Sequence, residues 1–203
     1  MRLTLELVPQ ETSTRPRPMG SEPWRLDVLA KCLGEGVGLP ADRGVLEAPE
    51  ASHDGGGDPG LDRRDARAIV VVDTNVIACY LFKTKPHADE TVTLWKGGWE
   101  IHSPAVWETE IANVAWKIAR QGLTDLATCV LRLDLARRLD IVTTRVRDLW
   151  EDALVTALAA DLPVYDASFV ALAERLDAPL VTFDKRILDR FPKRAVRPRD
   201  LTP

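Results

Sequence analysis

The stretch YDASFVALAERLDAPLVTFD (165–184) decides the fold class, because it joins a helical segment directly to a short buried strand. Its second part, APLVTFD (178–184), is an apolar run that ends in a carboxylate, and such a run is typical of a strand inside a sheet. The stretch AIVVVDTN (68–75) has the same form and ends its β-branched run at Asp73. Since this run is apolar throughout, it is expected to be buried on both faces, as in a parallel sheet.

From Ala68 onward, short apolar runs alternate with segments of helical pattern. Strands that alternate with helices indicate a parallel sheet with helices on both faces. We therefore predict an α/β fold with three layers, α/β/α, and a central, mostly parallel sheet. The further strands are predicted at 99–103, 140–144 and 194–198, and the further helices at 86–96, 104–120, 124–139 (capped by Thr124) and 148–161.

Residues 1–66 differ in composition from the rest of the chain. They include the glycine-rich run SHDGGGDPGLDRRD (52–65) and show little apolar periodicity. Such a segment has too little to bury to offset the entropy of ordering it. The segment PWRLDVLAKCL (23–33) has apolar residues on one side of a helix. We predict a low-complexity or poorly ordered extension with one short helix over 1–66, and a folded domain over 68–203.

The overall composition is that of an ordinary globular protein, with 45% hydrophobic and 29% charged residues and a net charge of -4. No apolar run reaches the roughly 18 residues of a membrane span. The first residues lack the apolar core of a signal peptide, so a cytoplasmic location and no membrane contact are expected. The three cysteines and three histidines share no ligand spacing, which disfavours a zinc site.

Two carboxylates are predicted at the same edge of the sheet. Asp73 ends the first strand and Asp184 ends the strand LVTFD. Ligand sites in open parallel sheets form beyond the carboxyl ends of the strands. Each residue taken alone is equally consistent with a helix N-cap, because Asp is a favoured N-cap residue.

Two further carboxylates lie on predicted helices. Glu110 is at the border of an apolar stripe, where it is consistent either with a site or with a solvated flank. Asp166 lies in line with residues that should face inward, where an unpaired carboxylate would be costly; it could also cap its own helix. The stripe beside Glu110 consists of Trp107, Ile111, Val114 and Ile118.

Taken together, the four carboxylates favour a metal site. Clustered carboxylates repel one another at neutral pH and must bind protons or cations. Hard oxygen ligands without a nearby His or Cys group match magnesium or manganese. Such an ion activates water and neutralises charge on a phosphoryl group, so phosphodiester hydrolysis is the expected reaction.

At this point the sequence resembles the PIN-domain nucleases and, within them, the VapC-type toxins of bacterial toxin–antitoxin pairs. The resemblance covers about residues 68–203, which would make this part a PIN-like nuclease domain. It is carried by VVDTNV (71–76), WETEIANVAW (107–116) and YDASFVALAERLDAPLVTFDKRIL (165–188), in that order. The third motif is the most specific, because a helix, a strand and a terminal Asp match over one continuous stretch.

The resemblance also implies roles for individual residues. Asp73 and Asp166 would be the firmest ligands of Mg²⁺ or Mn²⁺, and Glu110 and Asp184 would complete the catalytic cluster directly or through water. Polar supporting groups are implied at Thr74, Asn113 and Thr182.

The implied activity is that of an endoribonuclease, the toxin of a type II toxin–antitoxin system, which cleaves single-stranded or structured RNA and leaves a 5′-phosphate. A homodimer and a small inhibitory antitoxin are implied as well. The alternative is a catalytically silent PIN-like module that binds RNA or protein. A phosphoacceptor domain is disfavoured, because the first strand ends in Asp-Thr-Asn and not in paired acids.

The sequence leaves the substrate-binding residues unknown. Seven basic residues between Lys185 and Arg199 are opposed by one acid, Asp189. Such a stripe is consistent with contact to a phosphate backbone or with a solvated terminal face.

Overall fold

A computed structural model describes residues 67–201 of the chain. The extension predicted over 1–66 and its short helix at 23–33 lie outside these residues. The described strands are β1 (Ile69–Val72), β2 (Glu100–Pro104), β3 (Ile141–Thr144), β4 (Leu180–Val181) and β5 (Ala195–Val196). The described α-helices are α1 (Thr74–Phe82), α2 (Ala88–Lys96), α3 (Val106–Arg120), α4 (Leu126–Ala136), α5 (Trp150–Ala160), α6 (Val164–Arg175) and α7 (Lys185–Arg190). Two short 3-10 helices are Val146–Leu149 and Pro198–Asp200.

The five strands form one sheet in the order β3-β2-β1-β4-β5, and every neighbouring pair is parallel. In the register of the central strands, Val71 lies between His102 of β2 and Leu180 of β4. Residues 70–72 are fully buried, as expected for the middle strand of a covered sheet. The predicted α/β class with a parallel central sheet is therefore confirmed.

The order of the strands distributes the helices over both faces. Two connections lead outward, from β1 to β2 and from β2 to β3, whereas the next connection returns from β3 to β4. Since crossovers between parallel strands are right-handed, α1 to α4 cover one face, and α5 and α6 cover the other. In agreement, α1 contacts α3 and α4, while α6 packs between α5 and strands β1 and β2.

The neighbouring strands β1 and β4 form the switch point of the sheet. The chain leaves β1 toward β2 and leaves β4 in the opposite direction, toward β5. Right-handed crossovers then place α1 and α7 on opposite faces, which opens a crevice beyond the carboxyl ends of these two strands. Asp73 follows β1 and Asp184 follows β4, so both lie at this crevice.

Several element boundaries differ from those predicted. Helix α1 was missed, because all of Thr74–Phe82 is buried and a fully buried helix has no polar face to produce a periodic pattern. Pro104 ends β2 and does not open α3. Asp125, not Thr124, caps α4, and its carboxylate accepts a 2.6 Å hydrogen bond from the Thr128 N–H.

Helices α5 and α6 meet at a sharp bend. Residues Val146–Ala160 and Val164–Arg175 meet the length and hydropathy requirements of a membrane span only when taken together, across a bend of 111°. No single helix within residues 67–201 meets them. Inside the domain, α6 is the central helix of its layer, because its residues 167–173 are all buried.

The packing of α6 predicts a large loss of stability when its aromatic side chain is truncated. Phe169 is 1% exposed, and Phe169→Ala should lower the free energy of unfolding by about 3–5 kcal/mol through lost burial and a residual cavity. Leu158→Ala on α5, where the side chain is 78% exposed, should change it by no more than about 0.5 kcal/mol. Urea denaturation of both variants measures the difference, and similar values for the two would contradict this packing.

Candidate active site

Asp73 is held rigidly at the end of β1. It is 8% exposed and is the N-cap of α1, with its Oδ1 accepting a 3.3 Å hydrogen bond from the Asn75 N–H. Its Oδ2 accepts hydrogen bonds from Asn75 Nδ2 at 2.6 Å and from Thr182 Oγ1 at 2.5 Å. The capping role and the site role, weighed as alternatives from the sequence, are therefore compatible in one residue.

Asp184 occupies the equivalent position after β4. It is 2% exposed and is the N-cap of α7, with its Oδ1 accepting a 2.8 Å hydrogen bond from the Arg186 N–H. The two capping carboxylates come from neighbouring strands and lie at the same crevice. Because both charges are largely removed from water, water screens the repulsion between them only weakly.

The hydroxyl of Thr182 joins the two strand ends. It donates to Asp73 Oδ2 and accepts from Asn75 Nδ2 at 3.2 Å and from the Asp184 N–H at 2.9 Å. A hydroxyl group offers one donor and two acceptor positions, so all of its hydrogen-bonding capacity is used. Asn75 completes the connection, since its Oδ1 accepts a 3.0 Å hydrogen bond from the Phe183 N–H.

Glu110 reaches the site from α3. Its Oε2 accepts a 2.5 Å hydrogen bond from Thr74 Oγ1, and Thr74 is fully buried and directly follows Asp73. The predicted stripe beside Glu110 is buried, whereas Glu110 itself is only partly buried, as its border position suggested. The predicted supporting residues Thr74 and Thr182 thus both bond to predicted site carboxylates.

Asp166 lies in the first turn of α6, and its side chain is 15% exposed. It does not cap its own helix, because the N-cap position is Pro163, which makes no side-chain capping bond. Its Oδ2 accepts a 3.0 Å hydrogen bond from Arg186 Nη2, and the same nitrogen is 3.6 Å from Asp184 Oδ2. A guanidinium group therefore bridges the carboxylates of α6 and of the β4 end.

Two residues of the site were missed in the sequence, and one predicted residue is not brought to it. Asn75 lies inside the motif VVDTNV (71–76), but nothing in the sequence marks it as a site residue except its place two residues after Asp73. Arg186 was seen only as part of a basic stripe. Asn113 is exposed on α3 and, within residues 67–201, makes no hydrogen bond to any of the four carboxylates.

Most of the basic stripe is engaged in ion pairs. Lys185 and Lys193 are exposed and have no ionic partner within the described part of the chain. The charge that the stripe could offer a phosphate backbone is therefore smaller than the sequence suggested. Besides Arg186, the paired residues are Arg190 with Asp161, Arg194 with Asp177, Arg197 with Glu90, and Arg199 with Asp200.

The donor chemistry of this site fits a hard divalent cation. Hydrogen bonds and ion pairs through Thr74, Thr182 and Arg186 link four acids around the ends of β1 and β4, and Mg²⁺ and Mn²⁺ prefer carboxylate oxygens as ligands. Two of the acids already hold a positive charge between them, that of Arg186. In the conformation described for residues 67–201, however, no three His, Cys, Asp or Glu side chains form a group that could hold one metal ion.

Comparison with known proteins identifies the family. A family model for the PIN domain matches residues 70–194, more than half of the chain, so the chain belongs to the PIN domain family. The chain is 29% identical over 138 residues to ribonuclease VapC3 of Pyrobaculum aerophilum, a match that covers 61% of this chain and 95% of that relative. It is 36% identical over 89 residues to ribonuclease VapC9 of Mycobacterium tuberculosis, covering 44% and 68% respectively.

Among solved structures, the chain is similar to a toxin–antitoxin complex from Klebsiella pneumoniae. The sequence identity is 18%, the TM-score is 0.46, and the match covers 65% of this chain and 99% of that chain. The predicted resemblance to PIN-domain proteins of the VapC type is confirmed by the family match and by the named relatives.

The hydroxyl of Thr182 should be worth measurable stability. Thr182→Val keeps the shape of the side chain but removes one hydrogen bond from each of Asp73, Asn75 and the Asp184 N–H, so it should cost about 1–3 kcal/mol. Thr182→Ser keeps the hydroxyl and loses a buried methyl, at about 0.8 kcal/mol. Chemical denaturation without added metal compares them; a Val variant at least as stable as the Ser variant would argue against this network.

Proposed function

We propose that this protein is a metal-dependent endoribonuclease that hydrolyses RNA phosphodiester bonds at the crevice between β1 and β4. The observation that carries the proposal is the arrangement of Asp73 and Asp184, two buried carboxylates fixed beside each other at the switch point of a parallel sheet. Glu110 and Asp166 join them from helices on the two faces. Membership of the PIN domain family and similarity to proteins named ribonucleases support the same activity.

The residues that would hold Mg²⁺ or Mn²⁺ are Asp73 and Asp166, with Glu110 and Asp184 completing the site directly or through water. When bound, such an ion lowers the pKa of a bound water and neutralises charge on the phosphoryl group.

The chain's own residues supply orientation. Three donors act on Asp73, so its carboxylate is fixed before any ligand binds, and less conformational entropy is lost on binding. The Thr74 hydroxyl holds Oε2 of Glu110 at a defined point on the opposite wall. Asp73 and Asp184 are buried, whereas Asp166 and Glu110 are only partly buried.

The biological role proposed is that of a toxin in a type II toxin–antitoxin pair. The resemblance to VapC-type proteins supports this role and implies a small antitoxin as partner and a homodimer as the working form. An RNA substrate would place the activity in the cytoplasm. The extension over 1–66, which we assign to a separate segment preceding the nuclease domain at 68–203, has no part in the proposed chemistry.

The test is degradation of a mixed RNA pool by the full chain, in Mg²⁺ or Mn²⁺ and in EDTA. Asp166→Asn should lower the metal-dependent rate by at least about 100-fold, since loss of even an outer partner of a metal ligand costs about 10–100-fold. Glu174→Gln removes the same charge from an exposed position on the same helix and should cleave like wild type.

Two outcomes would count against the nuclease. Cleavage that persists in EDTA, or that is equal in Asp166→Asn and Glu174→Gln, would exclude a metal-dependent reaction at this site. Metal binding without cleavage of any RNA in the pool would favour the alternative function, a catalytically silent module that binds RNA or protein.

A further inference from the structure

Arg186 lies within ion-pair distance of two carboxylates of the candidate site. Its Nη2 donates to Asp166 Oδ2 at 3.0 Å and lies 3.6 Å from Asp184 Oδ2. Its own backbone N–H donates to the other oxygen, Oδ1, of Asp184. One residue therefore contacts both oxygens of a nearly fully buried carboxylate and joins it to a second acid on another helix.

The burial of its partners separates this ion pair from those of Arg190 and Arg194 in the basic stripe, and Asp184 is more buried than Glu90, the partner of Arg197. The partners of Arg190 and Arg194 are Asp161 and Asp177, whose side chains are essentially fully exposed. Pairs of that kind contribute little, because water screens both charges. Asp184 and Asp166 are instead 2% and 15% exposed, so little water is left to stabilise their charges. The positive charge of Arg186 offsets part of the free energy that their removal from water costs.

The carboxylates that the guanidinium bridges are two of the four proposed metal ligands. A directly bound Mg²⁺ lies about 2.0–2.1 Å from its ligand oxygens. An ion at that distance from both acids would bring a second positive charge, with its own hydration, into the space where Nη2 lies. Like charges at such short range in a poorly solvated site repel strongly, so the two cations exclude each other.

We propose that Arg186 is a built-in competitor of the divalent metal. In the metal-free protein its guanidinium holds the pair Asp166 and Asp184 together, and it leaves that pair when the metal binds. This inference rests on the metal site of the proposed function, and it adds an energetic coupling between metal binding and the position of one arginine. The side chain is 46% exposed, so it can leave the pair without rearrangement of the core.

The experiment is a titration of the full chain with Mn²⁺ alone at about 0.15 M salt. Binding is measured by calorimetry or by the electron paramagnetic resonance signal of free Mn²⁺. Arg186→Gln should bind Mn²⁺ at least about five-fold more tightly than wild type, the lower end of typical coupling between sites. Lys185→Gln is the matched control, because it removes the same charge from the adjacent residue, which is exposed and has no described ionic partner. It should change the affinity by less than about two-fold.

Two further measurements exclude trivial explanations. In EDTA, Arg186→Gln should have a lower Tm than wild type, because two poorly solvated acids lose their cation, and saturating Mn²⁺ should raise its Tm by more than it raises that of wild type. Arg186→Lys keeps the charge and serves as the folded substitute should the Gln variant fail to fold; its Mn²⁺ affinity should stay nearer to wild type than to Arg186→Gln.

The outcomes separate this inference from the proposed function. Equal gains in Arg186→Gln and Lys185→Gln, a weaker affinity in Arg186→Gln, or a Lys variant that binds as tightly as the Gln variant would each overturn it. If the affinities change as expected but no RNA is cleaved, the competition between Arg186 and the metal is supported and the proposed nuclease activity is not. If neither wild type nor Arg186→Gln binds Mn²⁺, the metal site and the competitor fail together.

Discussion

The three hydrogen bonds of the Thr182 hydroxyl hold the candidate site together. This hydroxyl lies where two parallel strands end, and its single proton goes to Asp73 while its lone pairs receive donors from Asn75 and from the Asp184 backbone. The strand β4 has only two residues, and the hydroxyl adds a side-chain connection to the backbone hydrogen bonds that join its end to Asp73 and Val196. This hydroxyl directly joins Asn75 and Thr182, which are 107 positions apart in the sequence, at the point where both carboxylates are anchored.

The parts of the fold that follow from local pattern could be predicted. Continuous apolar runs ending in Asp indicated buried strands, and the carboxyl ends of parallel strands share one edge, so Asp73 and Asp184 could be paired from the sequence. The border position of Glu110 and the inward position of Asp166 followed from helical spacing. The order of the motifs in the chain then indicated the PIN family, which the family match confirms.

What could not be predicted depends on side-chain direction across long sequence separations. The side chain of Asn75 bonds both to Asp73 and to the Phe183 N–H. Its position in the sequence, two residues after an N-cap, does not indicate this role. Arg186 is one of several basic residues in a row, and only the fold shows that its partners are buried. Asn113 lies exposed on its helix in the described conformation, and its supporting role stays a prediction from the family resemblance.

Asp73 and Asp184 are both helix N-caps, and this limits which substitutions at these positions leave the fold intact. Asn caps a helix about as well as Asp, so exchanging one oxygen for an amide at Asp184 preserves the helix start, whereas at Asp73 the amide nitrogen would face the Asn75 Nδ2 donor. A change of one atom at Asp184 would thus remove a proposed metal ligand and leave the helix that it caps in place.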